Sequence, residues 1–307
     1  MQLNNQNPNH IAPVNSDQQP GKYNAYLVLG IGILALVLSP LFIRWADAPG
    51  VITSFYRMLI TSTILAPFAV PKLKKIKSQL TLRVLVFPVV AGIFSGLDHF
   101  LWSTAVEKTT VANATLLNNI SPLWVALFAI IFLKERLGFR FWIGLVSVLA
   151  GASAVLGSTI FLRPNFVTGD LLAISSSIFY GGFFLATQKG RDNLDVLPAL
   201  WIMTVVNALT LLIITQLLGL PLTGYTQTTY LTFLTAALIS QLGAYYCITY
   251  ALGNIPASVV TPSMVAQPVL TALLAIPLAK ELLTTWQIIG GLVTLGGIYL
   301  VNTSKRR

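Results

Sequence analysis

The sequence predicts an all-α integral membrane protein with ten transmembrane helices in two inverted five-helix repeats. The first observation is composition: of 307 residues, 55% are hydrophobic and 9% charged, with mean hydropathy +0.77, whereas a soluble domain carries roughly 25% charged residues. The second is run length, since several apolar stretches approach the ~20 residues that carry a helix across a ~30 Å hydrocarbon core. Helices satisfy their own backbone groups in lipid, and the short alternating segments of a β-barrel are absent. The third is an internal echo. The stretch Ala105 to Leu156 recurs with an offset of 268 − 122 = 146, which carries Pro122 onto Pro268, Lys134-Glu135 onto Lys280-Glu281, Gly144 onto Gly290 and Gly151 onto Gly297. Thr115 likewise meets Thr261, and Ala126-Leu127 meets Ala272-Leu273; 15 of the 52 positions are identical without a gap. A long-period repeat in an apolar chain means two structural units.

In chain order, residues 1–22 are rich in Asn, Gln, Pro and Ser and predict a disordered cytoplasmic tail. The next apolar run has no obvious small-residue cleavage site and is expected to stay as a span. The ten spans are 24–44, 51–70, 84–106, 111–133, 141–160, 170–188, 198–218, 228–250, 257–278 and 285–302. Ala48-Pro49-Gly50 reads as a turn, Pro71 with Lys72, Lys74, Lys75 and Lys77 as a basic loop, and Asn254-Ile255-Pro256 as a short connection. The repeats then occupy 23–160 and 168–303, with a basic cytoplasmic C-terminus at 304–307. Cys247 is the single cysteine, so no intrachain disulfide can form.

Lys and Arg set the orientation. With the N-terminus in the cytoplasm, that side holds Lys22, Lys72, Lys74, Lys75, Lys77, Arg83, Lys134, Arg136, Arg140, Lys189, Arg191, Lys305, Arg306 and Arg307. The opposite side holds Arg44, Lys108, Arg163 and Lys280, and a bias of 14 to 4 places both termini inside. A net charge of +10 distributed this way is a topology signal and gives no reason to expect nucleic acid. Five spans per unit is an odd number, so the second unit enters the membrane from the other face and the repeats are inverted. Such repeats enclose a midplane site and rock around it.

The two copies of one span, Thr115 to Lys134 and Thr261 to Lys280, each have an internal proline, a closing Lys-Glu and a following glycine-bearing helix. In these features the chain resembles the EamA-domain transporters of the drug/metabolite transporter superfamily, over nearly everything after residue 22. The resemblance implies a ten-helix exporter or exchanger of small metabolites in a bacterial inner membrane. Relatives of that kind handle amino acids, nucleosides or organic cations.

Several intramembrane residues are candidates for chemistry. Asp98 and His99 lie inside the third span and Arg57 inside the second, where an ionisable group is costly and faces a cavity or a partner. Both Asp98 and Arg57 are about 10–12 Å from the outer surface at 1.5 Å per residue, so they can form an ion pair or act in proton or substrate handling. A histidine titrates near neutrality unless its surroundings move it, so His99 suits a proton carrier or a donor to an anionic substrate, or else an interhelical hydrogen bond. The offset carries His99 onto Tyr245 and Ser95 onto Gln241, and polar groups recurring at matching places favour a cavity lining that includes Tyr245 and Gln241. Ser95, His99 and Trp102 share one helical face. Trp102 fits an organic or cationic substrate, or an interfacial anchor.

Polar runs precede both prolines: Asn113, Thr115, Asn118, Asn119 and Ser121 before Pro122, and Thr261, Ser263 and Gln267 before Pro268. A proline frees a backbone carbonyl, which is useful at a cavity, although Asn and Gln also bind helices together. Ser175, Ser176, Ser177 and Tyr180 offer a further wall. Gly144 and Gly151, repeated at Gly290 and Gly297, predict tight helix contact within a subunit or between the subunits of a homodimer.

The expected function is secondary transport of a small polar or amphipathic metabolite, outward and by alternating access, with Asp98 or His99 carrying any coupled proton. The partners are a small-molecule substrate and the lipid bilayer. A passive facilitator or exchanger is the alternative, followed by a structural or receptor-like membrane protein. A membrane enzyme is disfavoured, because His10 and His99 are the only histidines and the spans contain no paired acidic motif. No metal or cofactor is expected, and no Gly-x-x-x-x-Gly-Lys-Ser/Thr loop occurs.

Overall fold

The computed structural model of the chain describes residues 22–39, 42, 45–157, 167–279 and 284–304. The predicted tail to Gly21, Arg44, Arg163, Lys280-Glu281 and the terminal Lys305, Arg306 and Arg307 lie outside them. Lys22, assigned to the tail by sequence, is the first residue of the first helix.

The helices are α1 (Lys22–Val37), α2 (Gly50–Lys75), α3 (Leu82–Lys108), α4 (Val111–Asn118), α5 (Ser121–Leu133), α6 (Phe139–Leu156) and α7 (Thr168–Arg191). They continue with α8 (Val196–Leu217), α9 (Gln227–Ala236), α10 (Ala244–Leu252), α11 (Ala257–Met264), α12 (Ala266–Ala279) and α13 (Thr285–Asn302). Three pairs are single spans interrupted midway: α4–α5, α9–α10 and α11–α12. Counting each pair once gives ten spans. Among the described residues, seven helical stretches, with α4–α5 and α9–α10 each taken as one, are long and apolar enough to cross a membrane.

Local chemistry explains the boundaries. The basic loop expected from Pro71 is helical as far as Lys75, with Pro67 and Pro71 inside the helix on one exposed face. Helix α6 ends at Leu156, short of the predicted residue 160, since Gly157 adopts a left-handed φ of 57° that stops a helix. The span formed by α9 and α10 contains a π-helical turn, Ala237–Gly243, which no periodicity in the sequence announces.

The glycines establish how the halves are related. A Cβ built on Gly144 would come within 2.8 Å of the Gly297 carbonyl oxygen, and one on Gly297 within 2.7 Å of the Gly144 oxygen. Gly151 and Gly290 meet in the same reciprocal way, at 2.5 and 2.7 Å. As the residue number rises along α6 it falls along α13, so the two helices run antiparallel. They are also equivalent under the 146-residue offset, and equivalent helices that run in opposite directions make the repeats inverted. The glycine stripe is consumed inside the chain, so it leaves no face for the homodimer that the sequence allowed through it. Other pairings obey the same exchange: α3 packs on α7 as α10 packs on α1, and α2 packs on α8.

The largest apolar cluster combines Leu29 and Ile33 of α1, Val125 of α5, Phe184 of α7, Leu200 of α8, Ile248 of α10 and Val260 of α11. Both repeats therefore share one packed interior. Lipid is as apolar as these side chains, so close packing rather than expulsion from water holds them together. That interior carries an unusual load of polar groups, which mark the site.

Candidate functional site

The two interrupted spans with prolines build the frame. In α4–α5 the helix breaks at Asn119 and Ile120 and resumes with Pro122 in the first turn of α5. In the second repeat the break falls at Val265, just before Pro268. Pro122 cannot donate to the Asn118 carbonyl, nor Pro268 to that of Met264, and those two positions are equivalent under the offset. Both Asn118 and Met264 line a cavity of about 100 Å³ between the repeats. Replacing both prolines by alanine restores the missing donors, so the double variant is expected to keep its thermal stability but to lose flux at least severalfold.

The structure gathers nearly all of the residues singled out by sequence around this cavity: Arg57, Asp98, His99, Trp102, Thr115, Asn118, Asn119, Ser121, Tyr180, Tyr245, Thr261 and Gln267. Leu36, Ser39, Met264 and Val265 complete the wall. Gln241 is one exception. It is 3% exposed and lies behind the wall in the π-helical turn, where its Oε1 accepts from Arg57 Nη2 at 3.2 Å. A π-turn adds a residue to the helix, and here the turn includes the residue that reaches Arg57.

The ion pair that sequence allowed between Asp98 and Arg57 is not formed. Asp98 Oδ1 accepts from Ser176 Oγ at 2.5 Å and from Asn118 Nδ2 at 3.2 Å, while Asn118 Nδ2 also donates to Ser176 Oγ at 2.8 Å. This triangle joins α3 and α4 of the first repeat to α7 of the second. Arg57 Nη1 reaches Ser39 Oγ at 3.4 Å. Both charged groups are thus held by neutral partners and buried, at 6% and 2% exposure. Ser176→Ala removes the short bond to Asp98 and is expected to cost about 1–3 kcal/mol, read as a lower unfolding temperature in detergent.

His99 Nδ1 lies 2.7 Å from the Ser95 carbonyl oxygen. A carbonyl only accepts, so Nδ1 carries the hydrogen and Nε2 is the ring nitrogen left for a ligand or a second proton. Asn207 Nδ2 donates to Ser95 Oγ at 2.8 Å and steadies the same group. Sequence reasoning passed over Asn207, although an asparagine in the otherwise apolar stretch Val196–Leu217 is a signal. Asn113, predicted with the polar run, is buried in α4 but is not part of the cavity wall. Ser175 bonds its own helix at Leu171, and Ser177 accepts from Trp124 Nε1 at 2.9 Å, so of the serine run only Ser176 touches the cavity residues.

Around the cavity, Thr261 donates to the Ala257 carbonyl at 2.8 Å and Gln267 Nε2 to that of Leu36 at 3.0 Å. On one side four rings close the space: Tyr180 packs on Phe183 and Phe184, and Phe183 meets Tyr245 edge-on at 5.8 Å. Beyond them, Ser258 donates to Glu135 Oε2 at 2.8 Å and the Ala257 amide to Gln188 Oε1 at 2.6 Å. Among the described residues, no three His, Cys, Asp or Glu side chains come together to hold a metal ion.

A family model described as the EamA-like transporter family matches the chain twice, at residues 24–157 and 167–303. The uncharacterized transporter YdfC of Bacillus subtilis is 23% identical over 252 residues, 80% of this chain and 79% of that protein. An uncharacterized transporter of Methanothermobacter thermautotrophicus is 25% identical over 226 residues, 71% of this chain and 64% of that protein. A solved crystal structure shares the fold with a TM-score of 0.74 at 18% identity, covering 91% of this chain and 97% of its own.

Proposed function

The chain belongs to the EamA-like transporter family, and from that premise we propose that it exports small polar or amphipathic metabolites, amino acids or related organic solutes among them, by alternating exposure of the cavity between its repeats. It is a multi-pass membrane protein. In the proposed arrangement it resides in an inner membrane with both termini cytoplasmic, and residues 23–160 and 168–303 act as the two rocking halves. The observation that supports this most is the convergence of polar side chains from both repeats on one buried space in an otherwise apolar bundle. A purely structural protein has no use for such a chamber.

In this orientation Tyr180, Phe183, Phe184 and Tyr245 close the inner side of the cavity, with the Glu135–Ser258 and Gln188–Ala257 bonds behind them. Of these contacts only Glu135–Ser258 crosses from one half to the other, so it must break as the halves part, and the four rings, all in the second half, must shift among themselves for the site to face the cytoplasm. At about 100 Å³ the cavity is also smaller than the roughly 300–1,000 Å³ of ordinary ligand pockets, so admitting a metabolite requires the halves to part. Asp98 and His99, buried on the cavity wall, are the groups we assign to proton movement.

Flux in proteoliposomes across a metabolite panel, with and without a pH gradient, tests this reading. Solute-dependent flux driven by the gradient is the expected result. Exchange that ignores the gradient would instead favour a passive facilitator or exchanger, and chemical turnover without movement would overturn transport altogether.

A further inference from the structure

Two side chains on the cavity wall have buried polar atoms without a hydrogen-bond partner. One is Arg57 Nε and the other is Asn119 Nδ2. Both are donors. Arg57 is 2% exposed and its remaining contacts, Ser39 and Gln241, are neutral. A guanidinium keeps its proton at any physiological pH, so a full positive charge sits inside the bundle with no ion-pair partner among the described residues. Such a charge is costly unless something pairs with it. Asp98 does not, because Ser176 and Asn118 occupy it and no Arg57–Asp98 ion pair occurs among the described residues.

We propose that the cavity is a carboxylate receptor, in which Arg57 and Asn119 bind a carboxylate group of the transported solute. The proposal deepens the transporter reading above and rests on it. Ser39 and Gln241 act as positioning residues, since they hold the two Nη atoms and thereby orient the guanidinium. The charge count selects a carboxylate over a phosphate. The wall holds two basic side chains, Arg57 and His99, and one acidic side chain, Asp98, so with His99 neutral a carboxylate unbalances the cavity by one charge where a phosphate dianion would unbalance it by two. A carboxylate brings one charge and two coplanar oxygens that match the guanidinium fork.

The test uses the full-length purified protein and matched probes: butyrate with butyramide, benzoate with benzamide, and L-leucine with L-leucinamide. Unfolding temperature in detergent and inhibition of proteoliposome flux are both measured. The carboxylate of at least one pair is expected to act at about 10-fold or more lower concentration than its amide. Arg57→Gln is expected to erase that preference, and Arg57→Lys, which keeps the charge but loses the fork, to retain part of it. Should Arg57→Gln fail to fold, the wild-type pairs still decide the matter. Equal action of acids and amides, or equal action of chloride and the carboxylates, would overturn the receptor. If neutral solutes move while carboxylates have no advantage, the receptor falls and the transporter reading stands. If carboxylates stabilise the protein through Arg57 but nothing is moved, transport falls and the receptor stands.

Discussion

Gly151→Leu is expected to abolish the folded protein. Gly151 meets the backbone of the opposite helix directly, and even a methyl group there would lie 2.5 Å from the Gly290 carbonyl oxygen and 2.6 Å from the Thr294 nitrogen. Backbone atoms cannot rotate away as a side-chain tip can, so α6 and α13 must separate along their length. Alanine at this position is expected to cost about 1–3 kcal/mol, and leucine more. The measurement is the unfolding temperature and the monodisperse fraction in detergent. Gly296→Ala is the internal control: it lies on α13 one residue before a contact glycine, its Cβ would have nothing within 4 Å, and it is expected to leave stability unchanged or slightly raised. Equal tolerance of both substitutions would show that the crossing does not hold the halves together.

The second large effect is functional. Asp98→Asn preserves the size of the side chain and an oxygen that can accept from Ser176 and Asn118, so the triangle of bonds is expected to survive with little change in unfolding temperature. What disappears is the negative charge on the cavity wall. Flux into proteoliposomes under a pH gradient is expected to fall at least 10-fold, as is expected for His99→Ala, whose ring otherwise presents Nε2 as a proton acceptor. Asp98→Asn leaves solute exchange without a gradient intact if the residue carries only the proton. Wild-type flux from both variants would remove them from the transport cycle.

Much of this molecule is legible in its sequence because the membrane imposes simple rules. Run lengths delimit the ten spans, and the offset that joins Pro122 to Pro268 locates the two spans interrupted beside a proline. The same offset marks the glycines, although only the structure shows that Gly144 meets Gly297 rather than its own copy, Gly290. Illegible features depend on helix rotation and on neighbours remote in sequence. Asp98 and Arg57 lie at similar depth, which suggested a pair, but depth says nothing about facing, and Ser176, 78 residues away from Asp98, took one partner's place. Gln241 was expected on the wall by analogy with Ser95. The π-turn, invisible to any count of apolar residues, sets it behind the wall against Arg57.

The charged members of the chamber have no mirror images. Across the 146-residue offset Arg57, Asp98 and His99 correspond to Met203, Ala244 and Tyr245. In the rocking motion proposed above, these three groups would ride together on one arm, so that a solute's ionic end keeps its company throughout the stroke. The other arm, furnishing Tyr245, Thr261, Met264 and Gln267, is left to do the shutting. On that proposal labour is divided between twins: one grips, the other swings the door.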